Sequence, residues 1–155
     1  MGTRETGAVG GMDSHIPGNV GFVVPVKGTK DQFAVGIDRK VVTVRWDGTD
    51  NATAEVLNEV AEVDAAFGFN TNRINDGKAD PKGRLYAGDF QQNKGSLFVF
   101  SKTGAEAKAD QISISNGLCW DVTRNVMYYI DSLEYAVRAY DYDFKTGAMS
   151  ESPKG

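Results

Sequence analysis

Lys30-Asp-Gln-Phe-Ala-Val-Gly-Ile-Asp38, Lys82-Gly-Arg-Leu-Tyr-Ala-Gly-Asp89 and Arg124-Asn-Val-Met-Tyr-Tyr-Ile-Asp131 read alike: polar turn, apolar strand, aspartate. A second strand follows each one, as Val41-Val-Thr-Val-Arg-Trp-Asp-Gly48, Ser96-Leu-Phe-Val-Phe-Ser-Lys-Thr-Gly104 and Val137-Arg-Ala-Tyr-Asp-Tyr-Asp-Phe-Lys-Thr-Gly147. The closing aspartates lie 51 and then 42 residues apart, and Gly104 and Gly147 lie 43 apart. Self-similarity at this period, in short β-branched and aromatic runs cut by Gly, Asp, Asn and Lys, is the mark of four-stranded propeller blades. Three such blades are expected, in an all-β chain. Within a second strand, Leu97 and Val99 alternate with Phe98 and Phe100, so both faces are apolar, as a blade packed between two neighbours requires.

Outward from the repeats, Asn58-Glu-Val-Ala-Glu-Val-Asp-Ala-Ala-Phe-Gly-Phe69 has weak helical spacing and reads better as an outer strand and a long loop, with Val60, Val63 and Phe67 as packing residues. Residues 1–16 hold four glycines and almost no large apolar side chains, so a loose tail is expected there, followed by the partial propeller over 17–155. His15 falls in that tail and is expected to be solvated. The run Tyr140-Asp-Tyr-Asp143 alternates, which places its tyrosines on one strand face and its aspartates on the other.

The chain has 155 residues, 41% hydrophobic and 25% charged, with a net charge of −4. That balance suits one globular core and gives no basic surplus for nucleic acid phosphates. No apolar run approaches a membrane span and the first residues lack the apolar stretch of a secretory signal, so the chain reads as cytoplasmic. Its single cysteine, Cys119, excludes an internal disulfide and is expected to be a small buried hydrophobe beside Trp120.

Two blocks carry a family resemblance. Asn72-Arg-Ile-Asn-Asp-Gly-Lys-Ala-Asp-Pro-Lys-Gly-Arg-Leu-Tyr-Ala-Gly-Asp89 and Ile114-Ser-Asn-Gly-Leu-Cys-Trp120 resemble the signatures of the senescence-marker-protein, gluconolactonase and luciferin-regenerating-enzyme family, the regucalcin-like proteins. The resemblance implies a six-bladed propeller of about twice this length, so its first and last portions have no counterpart here. It implies sugar-lactone hydrolysis, with gluconolactone as the type substrate and calcium, zinc or manganese as the cation that polarises the lactone. By resemblance Asn116 is a metal ligand, and Arg73 and Asn75 face the substrate. A glutamate and an aspartate that complete the family's metal site, the aspartate also acting as general acid or base, have no match. Gln92 stands where a covering loop supplies an acidic contact, but the loop is shorter here.

From the residues themselves, the Asn-Asp-Gly and Ser-Asn-Gly steps read as turns into innermost strands, with Asp76 bonding nearby backbone. Asn75 and Asn116, at equivalent places in successive blades, would bring two amide oxygens toward one channel, and hard cations accept such oxygens. An arginine before that turn would present a fork of donors to lactone or sugar oxygens. Two other readings stay open: a non-catalytic calcium-binding or regulatory protein, and an interaction scaffold. An open half-ring is expected to expose two apolar blade faces and to self-associate through them.

Overall fold

Two antiparallel sheets make up the computed structural model, which describes residues 18–49, 52–64 and 71–151, apart from the side chains of residues 91–93 and 151. The 1–16 tail with His15, and Phe67, lie outside the described residues, and Gln92 lies among the side chains that are not described. The first sheet is a meander of β1 (Val20–Pro25), β2 (Gln32–Ile37), β3 (Lys40–Arg45) and β4 (Glu55–Glu62), hydrogen-bonded in chain order. The stretch from Asn58 to Glu62 is thus strand, and no helix occurs among the described residues.

The second sheet holds β5 (Ile74–Ala79), β6 (Leu85–Ser101), β7 (Gly104–Asp121), β8 (Val126–Asp131), β9 (Ala136–Tyr142) and β10 (Met149–Glu151), again in chain order. Two of these strands are long, at 17 and 18 residues, and each divides into two working halves. Leu85–Asp89 of β6 pairs with β5, whereas Gly95–Ser101 pairs with β7. The Ser96 carbonyl oxygen comes within 3.3 Å of where a Cβ on Gly88 would stand. Straight strand would separate those residues by about 26 Å, so β6 doubles back between them. In β7, Gly104–Ile114 pairs with β6 and Ser115–Asp121 with β8, and Gln111, at φ 57°, leaves the extended conformation shortly before the change of partner.

The repeated segments fall on β2, the first half of β6 and β8, and their followers on β3, the second half of β6 and β9. Alternation places the side chains as the sequence predicts. Phe98 and Phe100 join Phe22, Val41, Val63, Ile74 and Ala87 in a core against the first sheet. Leu97 and Val99 turn the other way and pack with Tyr86, Ile112, Leu118, Met127, Tyr129, Tyr140 and Tyr142. Each such side chain, fully buried, contributes about 1.5–3 kcal/mol. Tyr140 and Tyr142 are inside while Asp141 and Asp143 are exposed, which confirms the packing reading of that run.

One expectation needs correction. Cys119 is exposed, because it lies between the inward-facing Leu118 and Trp120 and alternation turns it out. The outward face of the first sheet is buried at its centre, with Val35 and Val44 at 0% exposure and the Phe33 ring 6.4 Å from that of Trp46, while Val23 and Val56, their ladder partners, are half exposed. The far face of β8 and β9 is open, with Val137 62% exposed beside Ile130 and near Cys119.

The Asp80-Pro-Lys-Gly-Arg84 turn has a structural task. Asp80 accepts the backbone N–H of Lys82 and Arg84 through Oδ1, and the Tyr142 hydroxyl through Oδ2 at 2.7 Å. Arg84 donates Nε to Asp80 and its other nitrogens to the carbonyls of Phe144 and Lys145, tying the β5–β6 turn to the β9–β10 turn. Burial pushes the Asp80 carboxyl up, but the Tyr142 hydroxyl, the backbone N–H groups and the Arg84 fork outweigh it and hold the group below its ordinary value.

Candidate functional site

The polar steps singled out in the sequence lie inside strands, as bulges, and are not turns ahead of them. Register shifts fall between Val20 and Phe22 in β1, between Ile74 and Asp76 in β5, and between Asn116 and Leu118 in β7. Each leaves one residue out of the ladder: Gly21, Asn75 and Gly117. Turns and bulges favour the same residue types, Gly and Asn above all, so the two readings share one sequence signal. Gly117 needs its freedom, at φ 55°.

Bulging aims side chains of β5 and β7 at one another. Asn75 Nδ2 donates to the Ser115 carbonyl at 2.8 Å and to Asn116 Oδ1 at 3.0 Å. Asn116 Nδ2 in turn donates to Ser132 Oγ at 2.7 Å. Asp76 braces the same point, its Oδ1 accepting the N–H of Gly77 and its Oδ2 the N–H of Gly117, both at 2.8 Å. The amides of two successive repeats therefore meet, half-buried, with every amide proton direction fixed. Among the described residues nothing donates to Asn75 Oδ1, which leaves one oriented acceptor open to a ligand.

Arg73 stands to one side. Its guanidinium covers the Phe90 ring at 5.0 Å and lines a cleft of about 600 Å3 with Asn19, Asp38, Arg39, Glu62 and Asn72. Arg39 is occupied by Glu62 at 2.7 Å, while among the described residues no hydrogen bond engages the Arg73 fork. Nor does one link Arg73 to Asn75 or Asn116. The structure thus brings the two amides together and sets Arg73 at a neighbouring cleft, two residues away along the strand.

The closing aspartates hold these strands in place. Asp38 accepts the backbone N–H and the side-chain amide of Asn19, both at 2.9 Å. Asp131 accepts the N–H of Ser113, Ile114 and Leu133 at 2.8, 3.0 and 3.3 Å. Asp89 accepts the Asn72 amide at 2.6 Å and the Ser96 N–H at 2.6 Å. Each carboxylate clips the residues that lead into an innermost strand, which is the physical reason for its repetition. Ser132 and Asn72 are the neighbours that sequence reading left without a role, although Asn72 belongs to a quoted motif and Ser132 directly follows one.

A divalent cation would find oxygen donors of a suitable kind here, but few of them. Asn116 Oδ1 is one, and it already accepts a hydrogen bond from Asn75; both Asp76 oxygens accept backbone N–H groups. Among the described residues no group of three His, Cys, Asp or Glu side chains could hold a metal. The described residues do not by themselves fit a closed cation site.

A meandering all-β fold, built of face-packed antiparallel sheets with a polar point where successive innermost strands approach, defines the class. The sequence matches the SMP-30/Gluconolactonase/LRE-like region over residues 4–154, and the chain belongs to that family. Regucalcin of Sus scrofa is 45% identical over 89 residues, 51% of this chain and 30% of the relative. Regucalcin of Gallus gallus is 39% identical over 127 residues, 76% of this chain and 40% of the relative. A solved luciferin-regenerating enzyme superposes with a TM-score of 0.77 at 31% identity, covering 88% of this chain and 46% of that one. A calcium-binding regucalcin from Agrobacterium tumefaciens superposes at 0.71 with 19% identity, a likeness of fold, covering 88% and 44%. These neighbours are propeller-type proteins, and the chain spans less than half the length of each of these relatives. No helix among the described residues is long and apolar enough to cross a membrane.

Proposed function

We propose that the chain is three blades of a six-bladed lactonase-type propeller, and that its role is to bind and orient a sugar lactone such as gluconolactone. The three blades are β1–β4; β5 with the two halves of β6 and the first half of β7; and the second half of β7 with β8–β10. The observation that carries the reading is the 3.0 Å contact between Asn75 and Asn116, which points one amide acceptor outward at the junction of two blades. A sugar lactone offers hydroxyl donors for Asn75 Oδ1 and carbonyl and ring oxygens for the Arg73 fork. Family membership supports the substrate class.

A divalent cation held here would supply polarisation of the lactone carbonyl, with a carboxylate needed to handle the proton of the attacking water. Asn116 is the residue of this chain that would contribute an oxygen to the cation. Its orientation is set by Asn75 and Ser132, and the remaining ligands and the proton-handling carboxylate are not supplied by the described residues.

The test is a gluconolactone titration of the 15N-labelled chain, with and without calcium, watched at the side-chain amides of Asn75 and Asn116. Both amides should shift together, and Asn75→Ala should abolish the response. Amides that stay still at millimolar lactone would contradict the proposal. Hydrolysis followed with a pH indicator, in calcium, zinc or manganese, then separates binding from turnover.

A further inference from the structure

Asn72 sits at the centre of an arrangement that the lactone reading does not use. Its Oδ1 accepts the backbone N–H of Arg73 at 2.8 Å and that of Phe90 at 3.1 Å. Its Nδ2 donates to Asp64 Oδ2 at 2.7 Å and to Asp89 Oδ2 at 2.6 Å. One side chain therefore fixes both Arg73 and the aromatic ring beneath the Arg73 guanidinium, and is itself gripped by two carboxyl groups. Two oxygens bonded to the same amide nitrogen are neighbours, and Asp89 is 1% exposed. Two full charges in such a place, without a cation, are strongly unfavourable.

We propose that Asp64 and Asp89 share one proton and form a pH-sensitive clasp that sets the position of Arg73 through Asn72. With the proton in place the two carboxyls hold each other and Asn72 together. Its loss drives the half-buried Asp64 away from Asp89 and frees one arm of Asn72. Burial first, and the Asp64 carboxylate second, push the Asp89 carboxyl up to about 8, against the Ser96 N–H and the Asn72 amide.

The other charged groups around the clasp are already engaged or face elsewhere. Asp38 is held by Asn19, Arg39 by Glu62, and Asp110 by the Ser96 hydroxyl. Asp131 is taken by backbone N–H groups, and Lys94 is exposed. The Arg73 charge lies over Phe90. None replaces the proton between the two carboxyls.

The clasp stands without any ligand, while an effect of pH on lactone affinity would rest on the function proposed above. The experiment therefore reads the clasp alone, as a 13C titration of the Asp89 carboxyl and of the Arg73 Hδ protons, which feel the Phe90 ring current. In the wild-type chain both signals should move with one midpoint near 8. Asp64→Asn keeps a hydrogen bond to Asp89, tolerates the positive φ of 50° at this position, and removes the shared proton. In it the Asp89 midpoint should fall by about two units, and Arg73 should not move between neutral and alkaline pH. An Asp89 midpoint in the ordinary carboxylate range in the wild-type chain overturns the proposal, as do Arg73 signals that ignore the Asp89 titration. Should the variant not fold, the wild-type titration decides alone.

Discussion

The innermost strands β1 and β5 carry the same bulge and the same clipping aspartate, yet use the bulge differently. In β1 the residue pushed out is Gly21, and a Cβ there would run into the backbone carbonyl of Ile74. In β5 it is Asn75, whose amide crosses to the Ser115 carbonyl and to Asn116 of the next innermost strand. Val20 occupies the place in the β1 register, just before the residue pushed out, that Asn116 occupies in β7. One junction is therefore closed by bare backbone contact and the other by an oriented polar pair. The scaffold is repeated, whereas the oriented amide pair stands at the second junction.

The clipping aspartates give the largest predicted contrast. Asp131→Ala removes the acceptor of three backbone N–H groups in a buried place and should cost about 3 kcal/mol in denaturant unfolding. Asp38→Ala, at an exposed clip with a single residue, should cost about 1 kcal/mol or less. Equal losses would mean that the repeats do not share this device in a graded form. Next come the glycines of the first junction. Gly21→Ala must displace β5 backbone, and Gly77→Ala meets the Phe22 ring 2.7 Å away, so each should cost about 2 kcal/mol in thermal unfolding.

The smallest contrast lies in pH dependence, and its sign differs between the two strands. Asp38 is held below its ordinary value of 3.8 chiefly by the Asn19 N–H, so its stabilisation is present above that value and is lost as the pH falls through the folded value. Asp89 is raised from 3.8 to about 8, so the stabilisation linked to its proton is complete below 3.8 and is lost as the pH rises through about 8. Asp38→Asn should flatten the acid limb of the stability curve and Asp64→Asn the alkaline limb. Either substitution acting on the opposite limb would break the comparison.

Much of this was legible in residue order. The polar-turn, strand, aspartate repeat located β2, β6 and β8, and two-residue alternation assigned Leu97 and Phe98 to opposite cores. The same alternation turns Cys119 outward between Leu118 and Trp120, against the general preference of cysteine for interiors. Bulges and turns share one signal in the sequence, because Asn and Gly suit both. The pairing of Asp64 with Asp89 joins residues 25 apart through a third side chain, a relation that only folding creates.

Of the candidate residues, Asn75 and Asn116 are brought together, while Arg73 is carried to the adjoining cleft by the strand that holds Asn75. Their meeting is the claim on which the proposed function depends, and a double-mutant cycle addresses it directly. Unfolding of Asn75→Ala, Asn116→Ala and the double variant should give a coupling energy of about 1 kcal/mol, with each single change costing about that much. Free energies that add to within about 0.3 kcal/mol would mean that the two amides do not touch.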